Sequence, residues 1–325
     1  KEREEANMNA HNKYRIKKIC IFGVGSVGGV FGGKIAHAIA QKKDTDRRVF
    51  FIARGAHLEE IKRNGLILNT PEESGIVCNP TLATDNIAEI PQPDLYLLCV
   101  KGYDLDDATR AIKTNIGTHT LVIPLLNGVD IYERIRKNMH KGIVLPGCVY
   151  IGALLERPGV VTHAGGPGLI AFGKDPNYPD FDPAGIIDFF NDMGIQFTWS
   201  DDGSYAQWQK FVFIAGYGLV TAYTAKTFGE ILSDSKLREL VRKVMEEIAA
   251  VAKKKGVPLA ETIVADSLET GSNFPPETKT SFQRDVETKG KRHEGDLFGG
   301  TIIRLGKELG VPTPVTESIY AHIEG

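Results

Sequence analysis

The sequence predicts an α/β protein: an N-terminal half built on a buried parallel sheet, then a C-terminal half made wholly of helices. Three observations predict it. From Lys17 to about residue 150, short continuous apolar runs alternate with helix-like stretches, as strands covered on both faces by crossover helices do. A glycine-rich turn joins the first apolar run to the first helical stretch. After about Asp202, strand-like runs stop and long helical periodicities take over. The join falls near residue 201, which divides the chain into residues 1–201 and 202–325.

Taken in order, the opening KEREEANMNAHNKYR (1–15) lacks the apolar centre of a signal peptide and reads as a frayed tail or appended remnant. KKICIFGVG is the first strand and GGVFGGKIAHAIAQKK the first helix; RRVFFIARG, DLYLLCVKG and TLVIPLLNG are further strands. From Leu145 to Trp199 the chain is richer in glycine and proline. Its short β-like runs, GVVTHAGG and GLIAFG among them, predict mixed strands that extend the same sheet. AQWQKFVFIAGYGLVTAYT (206–224) reads as a buried helix. In SDSKLRELVRKVMEEIAAVAKKKGVP the apolar residues Leu237, Leu240, Val241, Val244, Ile248 and Val251 recur at helical spacing. Ser233 or Asp234 offers the cap, and Lys253 to Lys255, Gly256 and Pro258 mark the end. A further helix runs from about His293 to Leu309, stopped by Gly310 and Pro312.

With 325 residues, 42% of them hydrophobic, the chain can bury a sizeable core and divides naturally into two domains. A net charge of -2 gives no electrostatic ground for binding nucleic acid or an anionic membrane. No apolar run reaches the roughly 18–20 residues of a membrane span. Cys20, Cys78, Cys99 and Cys148 form no CxxC pair and sit mostly in apolar runs. They read as free thiols in a reducing, cytoplasmic setting. No grouping of residues calls for a metal. The long helices could support a homodimer.

The turn GVGSVG places Gly23, Gly25 and Gly28 in a GxGxxG arrangement, with Val24, Ser26 and Val27 between them. It follows a strand and opens a helix, so its amides and the helix dipole suit a pyrophosphate, and the N-terminal half reads as a Rossmann-like dinucleotide-binding domain. A merely glycine-rich turn is the plainer alternative. The second strand ends in FFIARG, with Arg54 and no acid. An arginine fork matches a 2′-phosphate, which favours NADPH over NADH; a solvated arginine in a turn is the other reading.

Lys210 stands at the start of the apolar helix 206–224. Partial burial would bring its pKa towards working pH and make it a proton donor for a carbonyl oxygen that gains charge on hydride transfer. It reads equally as a lysine laying its stem along an apolar surface.

These pieces together resemble the ketopantoate reductase (2-dehydropantoate 2-reductase) family. GVGSVGG, LLCVKGYDL, PLLNGVD, QWQKF and TSFQRDVETKGKRHEGD occur in the family's order, from about Lys18 to Pro314. The resemblance implies NADPH-dependent reduction of a 2-oxo acid, first of all ketopantoate to pantoate on the way to pantothenate and coenzyme A. A related 2-oxo acid, or a non-catalytic NADPH sensor, are the rival readings. It implies Lys210 as the general acid with Glu294 beside it, and Ser281 and Asn127 on the substrate. It further implies Asn127, Lys101 and the backbone of Ala153 near the cofactor. Capping and turn roles are the plainer readings of Ser281, Glu294 and Asn127. Where the family carries substrate-holding asparagines, this chain has Ile214, Gly218 and Phe228. Either the substrate differs, or Tyr217, Thr221 or Tyr223 supplies the missing contacts.

Overall fold

The structure, a computed structural model, describes residues 15–325. The expected tail therefore lies outside the described residues but for Arg15. The chain divides into two compact units. One comprises the residues up to Leu126 together with Ile131–Gly203; the other comprises Asn127–Asp130 together with Ser204–Gly325.

The first unit runs β1 (Lys18–Phe22), α1 (Ser26–Gln41), β2 (Arg48–Ile52), α2 (Gly55–Asn64), β3 (Leu66–Asn69), β4 (Ile76–Cys78), β5 (Leu82–Thr84) and β6 (Leu95–Leu98). It continues with α3 (Leu105–Lys113), β7 (Leu121–Pro124), α4 (Ile131–Asn138), β8 (Ile143–Val144), β9 (Gly147–Arg157), β10 (Val160–Gly173), α5 (Ala184–Asp192) and β11 (Gln196–Ser200). Among the described residues, six strands pair in the order β5-β2-β1-β6-β7-β8, every pair parallel. Numbered by their succession in this sheet, that is the 3-2-1-4-5-6 order of a Rossmann sheet, with β1 at the switch point between β2 and β6.

Leu145 to Trp199 does not extend this sheet, which corrects the sequence expectation. Its strands β9, β10 and β11 join β3 and β4 in a second sheet. The first sheet stops because its last edge is already satisfied. The amides of Ile143 and Leu145 bond to β7, while the outward amide of Val144 donates 2.7 Å to Asp175 Oδ2. Asp175 is fully buried and also takes Arg136 and the Tyr132 hydroxyl, so no further strand can dock there. GVVTHAGG and GLIAFG are one long bent strand, β10, whose register shifts between His163 and Leu169.

Helix α1 packs on strands of both sheets, which explains its glycines. A Cβ on Gly29 would lie 2.6 Å from Val161 Cγ1 in the second sheet, and one on Gly32 would lie 3.0 Å from Ile21 and Phe51 in the first. A helix pressed from two sides needs small residues on both faces.

The second unit is helical: α6 (Ser204–Thr224), α7 (Phe228–Ser233), α8 (Ser235–Lys255), α9 (Ile263–Gly271) and α10 (Ser281–Glu287) come first. A π-helical turn (Asp296–Gly300) then leads into α11 (Thr301–Leu309) and α12 (Pro314–Glu324). Asp234 caps α8 through the amides of Lys236 and Leu237, and Gly256 ends it in the left-handed conformation, as the sequence predicts. Val241, Val244, Ile248 and Val251 are buried; Leu237 and Leu240 are half-buried. The π turn interrupts the helix expected from His293. Helix α6 is apolar nearly all round because α8, α9, α10, α12 and the π turn all pack on it. No helix among the described residues is long and apolar enough to cross a membrane.

Candidate functional site

In the first unit, β1 ends at Phe22 in the middle of its sheet and the chain enters α1 within a few residues. Gly23 makes the turn at φ +94°, a conformation that strains any L side chain. The amides of Gly23 and Val24 both donate to the carbonyl of Ile52, at 3.1 and 3.0 Å, which ties the turn to the end of β2. Gly28 is required by closeness: a Cβ there would stand 2.2 Å from the Gly23 oxygen and 2.9 Å from Cys99 Cβ. Gly25 differs from both, because a Cβ there would meet nothing within 4 Å. Open space thus lies beside the first turn of α1, formed by Ser26, Val27 and Gly28. That turn has neither a side-chain cap nor an acidic residue. Its amides and the positive end of the dipole therefore fit an anion such as a dinucleotide pyrophosphate.

Arg54 precedes α2 with its side chain 77% exposed, and its Nη2 donates 3.1 Å to Asp104 Oδ2. Asp104 belongs to the short 3-10 turn Gly102–Asp104 that Lys101 opens after β6. The segments carrying Arg54 and Lys101 therefore meet beyond the ends of β2 and β6, on either side of β1. Ala153 lies on the second sheet, in β9 opposite His163.

Sequence reasoning missed Asp104 and also His57, in the first turn of α2. Its Nδ1 accepts from the amide of Gly159 at 2.9 Å. Burial pushes its pKa below the ordinary histidine value, and an interaction with the Val24 carbonyl opposes this. His57 thus sits against the glycine turn and the β9–β10 connection at once.

In the second unit, the Lys210 ammonium is half-buried on α6 and donates 2.7 Å to Oδ1 of Asn127. The Asn127–Asp130 segment is anchored at its other end: Asp130 accepts from Arg304 Nη2 at 2.7 Å and from Thr301 Oγ1 at 3.3 Å. Asn127 is a neutral acceptor. It orients the ammonium by accepting one of its hydrogens.

Glu294 is buried, 8% exposed, just ahead of the π turn, and its carbonyl accepts from Phe298 N at 3.1 Å. Ser281 is exposed at the first position of α10, and Thr280 before it supplies the cap. Three stacked rings join these segments. Phe298 stacks on Phe211, next to Lys210, with centroids 6.0 Å apart. It stacks also on Phe282, next to Ser281, at 4.8 Å and 10° between planes. An aromatic residue directly after both Lys210 and Ser281 is the signal that could have revealed this scaffold.

The ketopantoate reductase PanE/ApbA family model matches residues 19–177, and its C-terminal companion matches residues 203–325. The chain belongs to the ketopantoate reductase family. An uncharacterized oxidoreductase of Bacillus subtilis, YkpB, is 27% identical over 307 residues, covering 94% of this chain and 98% of that protein. The 2-dehydropantoate 2-reductase of Mesorhizobium japonicum is 28% identical over 328 residues, covering 94% and 96%. The crystal structure of a PanE/ApbA family ketopantoate reductase from Ralstonia eutropha superposes with a TM-score of 0.84 at 29% identity, covering 94% of this chain and 97% of that one. The chain is accordingly an NAD(P)-dependent oxidoreductase of the 2-dehydropantoate 2-reductase type.

Against this family background, two of the three departures have structural explanations. Phe228 is buried in an aromatic cluster, stacked on Tyr217 at 4.6 Å and on Phe274 at 5.2 Å. Gly218 is buried beneath the Phe282–Phe298 pair: a Cβ there would touch Phe298 at 3.4 Å and Phe282 at 3.8 Å. Ile214, one turn after Lys210, is half-buried. Two of the three proposed substitutes, Tyr217 and Thr221, bond within the bundle. The Tyr217 hydroxyl donates to the Leu268 carbonyl at 3.1 Å, and burial raises its pKa to about 12. The Thr221 hydroxyl donates to the Gly218 carbonyl and lies 3.0 Å from that of Thr280. Tyr223 sets its ring edge-on against His322, at 4.8 Å.

Proposed function

We propose that this reductase uses NADPH to convert a 2-oxo acid to the 2-hydroxy acid. When bound, the reduced nicotinamide supplies the hydride. Carbon 2 gains that hydride, its π bond to oxygen breaks, and the oxygen takes the electron pair. Lys210 then gives this oxygen a proton, completing the alcohol, and is left as a neutral amine that recovers its proton from water. Asn127 holds the amine in place by accepting one of its hydrogens, while Ser281 and Glu294 serve as polar groups for substrate and amine. Ser26 to Gly28 receive the pyrophosphate on their amides, and Arg54 receives the 2′-phosphate by exchanging its exposed pairing with Asp104. Lys101 and Ala153 are assigned to the cofactor with them. 2-Dehydropantoate, after which the relatives are named, is the first acid to offer.

The observation that carries this reading is the 2.7 Å bond between Lys210 Nζ and Asn127 Oδ1. Two polar residues far apart in sequence meet on an otherwise apolar helix, which a lysine merely snorkelling its stem would not require. A protein that only senses cofactor has no use for an oriented amine. The cytoplasm is our assignment for the compartment, supported by four unbridged cysteines. The test is NADPH consumption by the purified chain against a panel of branched and linear 2-oxo acids. Turnover with at least one is expected. NADPH binding without turnover on any of them would favour the sensor instead.

A further inference from the structure

The face of α6 that continues from Lys210 has a consistent chemistry. One turn on stands the hydrocarbon of Ile214, half-buried. Two turns on, Gly218 offers no side chain, and the rings of Phe282 and Phe298 rest against it. The neighbouring hydroxyls are already bonded within the bundle, Tyr217 to the Leu268 carbonyl and Thr221 to the Gly218 carbonyl. A Cβ at Gly218 would already touch both rings, so a longer side chain there would press on them. Lys210 and Asn127 stand at one end of this helix face.

Given the 2-oxo acid reading above, on which this step rests, we propose that the preferred substrate carries an unfunctionalised, branched hydrocarbon beyond its oxo carbon. The oxo acid head meets Lys210 and Asn127; the side chain lies on Ile214. A hydroxyl set against the hydrocarbon of Ile214 would lose water without gaining a partner from it. Apolar contact tolerates a missing hydroxyl, whereas a site built to bond one rejects the analogue without it by orders of magnitude. The preference between two such acids therefore reads the character of the wall directly.

The experiment compares 2-dehydropantoate with 3,3-dimethyl-2-oxobutanoate, which has a methyl group where the former has a hydroxymethyl. The full chain is assayed with saturating NADPH. The methyl compound is expected to have the higher kcat/KM, by about tenfold. Equal or better use of 2-dehydropantoate would overturn the proposal while leaving 2-oxo acid reduction intact. Failure of the whole panel would remove both. Ile214→Asn supplies the second readout: its half-buried position tolerates an amide, and the ratio should shift at least severalfold towards 2-dehydropantoate. An unchanged ratio would show that Ile214 does not face the substrate's side chain, and would overturn the assignment.

Discussion

At the glycine turn of the first unit the groups proposed to face a ligand are backbone amides; on α6 of the second unit they are side-chain atoms. The turn is built by exclusion, because Gly23 and Gly28 leave no room for a Cβ and their neighbours belong to the core. Lys210 and Asn127 are instead two tips that meet, and either can be shortened without opening a large void. Damage at the turn should therefore appear first in folding and cofactor affinity. Damage on α6 should appear in the chemical step alone.

The largest expected effect is on that step. Lys210→Ala should lower kcat by about 10²–10⁴, the usual worth of a positioned proton donor, with NADPH affinity nearly unchanged. Stopped-flow turnover and a fluorescence titration measure the two separately. A matching loss of affinity would mean that α6 and the turn do not divide the work in this way.

Next comes a purely structural position in the first unit. Asp175 is fully buried, pairs with Arg136 and receives the Tyr132 hydroxyl and the Val144 amide. Asp175→Ala leaves a buried guanidinium without its partner and should cost about 3–5 kcal/mol. For a unit of this size that lowers Tm by roughly ten degrees, readable by calorimetry. Loss of turnover in proportion to unfolded protein, and no more, is the expected companion result.

The same contrast explains what could be read from residue order. The turn was legible because glycine in a GxGxxG spacing after an apolar run has few physical uses, and Gly23 and Gly28 each have a structural reason, one in its backbone angle and one in closeness. Lys210 was legible as an anomaly, a charge among apolar neighbours, although its partner Asn127 was reached only through resemblance. The second sheet was not legible. Nothing local in GVVTHAGG tells a strand which neighbour it will pair with, and the decisive group, Asp175 on the Val144 amide, lies 31 residues away. The Phe211–Phe298–Phe282 stack was hidden for the same reason, since three phenylalanines on three segments look alike until the helices meet. Arg54 was seen, but its partner Asp104 is 50 residues distant.

A paired substitution within the turn sharpens the comparison. Gly28→Ala forces a methyl group against the Gly23 carbonyl and should destabilise the first unit by about 1–3 kcal/mol. Gly25→Ala meets open space, so its Tm should stay nearly unchanged. Its new methyl group instead occupies the room a pyrophosphate needs, and NADPH affinity should fall by about tenfold or more. Equal melting shifts in the two variants would break the account of the turn. Arg54→Ala should act more selectively still. With its fork gone, the preference for NADPH over NADH should narrow about tenfold while NADH affinity holds. Tighter NADH binding in the parent chain, untouched by the substitution, would defeat the assignment of the 2′-phosphate.

The smallest effect is a pH dependence at His57, where side chain and backbone turn meet. Its pKa lies below the ordinary 6.5, because burial disfavours the charged ring. The unfolded chain therefore takes up the proton at a higher pH than the folded one. In the window below about 6.5 the unfolded state binds more protons, so stability must fall as pH drops through it and be fully present above it. Protonation also removes the Nδ1 lone pair that accepts from Gly159, which loosens the link between α2 and the β9–β10 connection. His57→Gln cannot titrate and leaves an oxygen for that amide. Urea midpoints at pH 7.5 and 5.5 should converge more in the variant than in the parent chain. Equal losses in both would show that the proton on His57 is not coupled to folding.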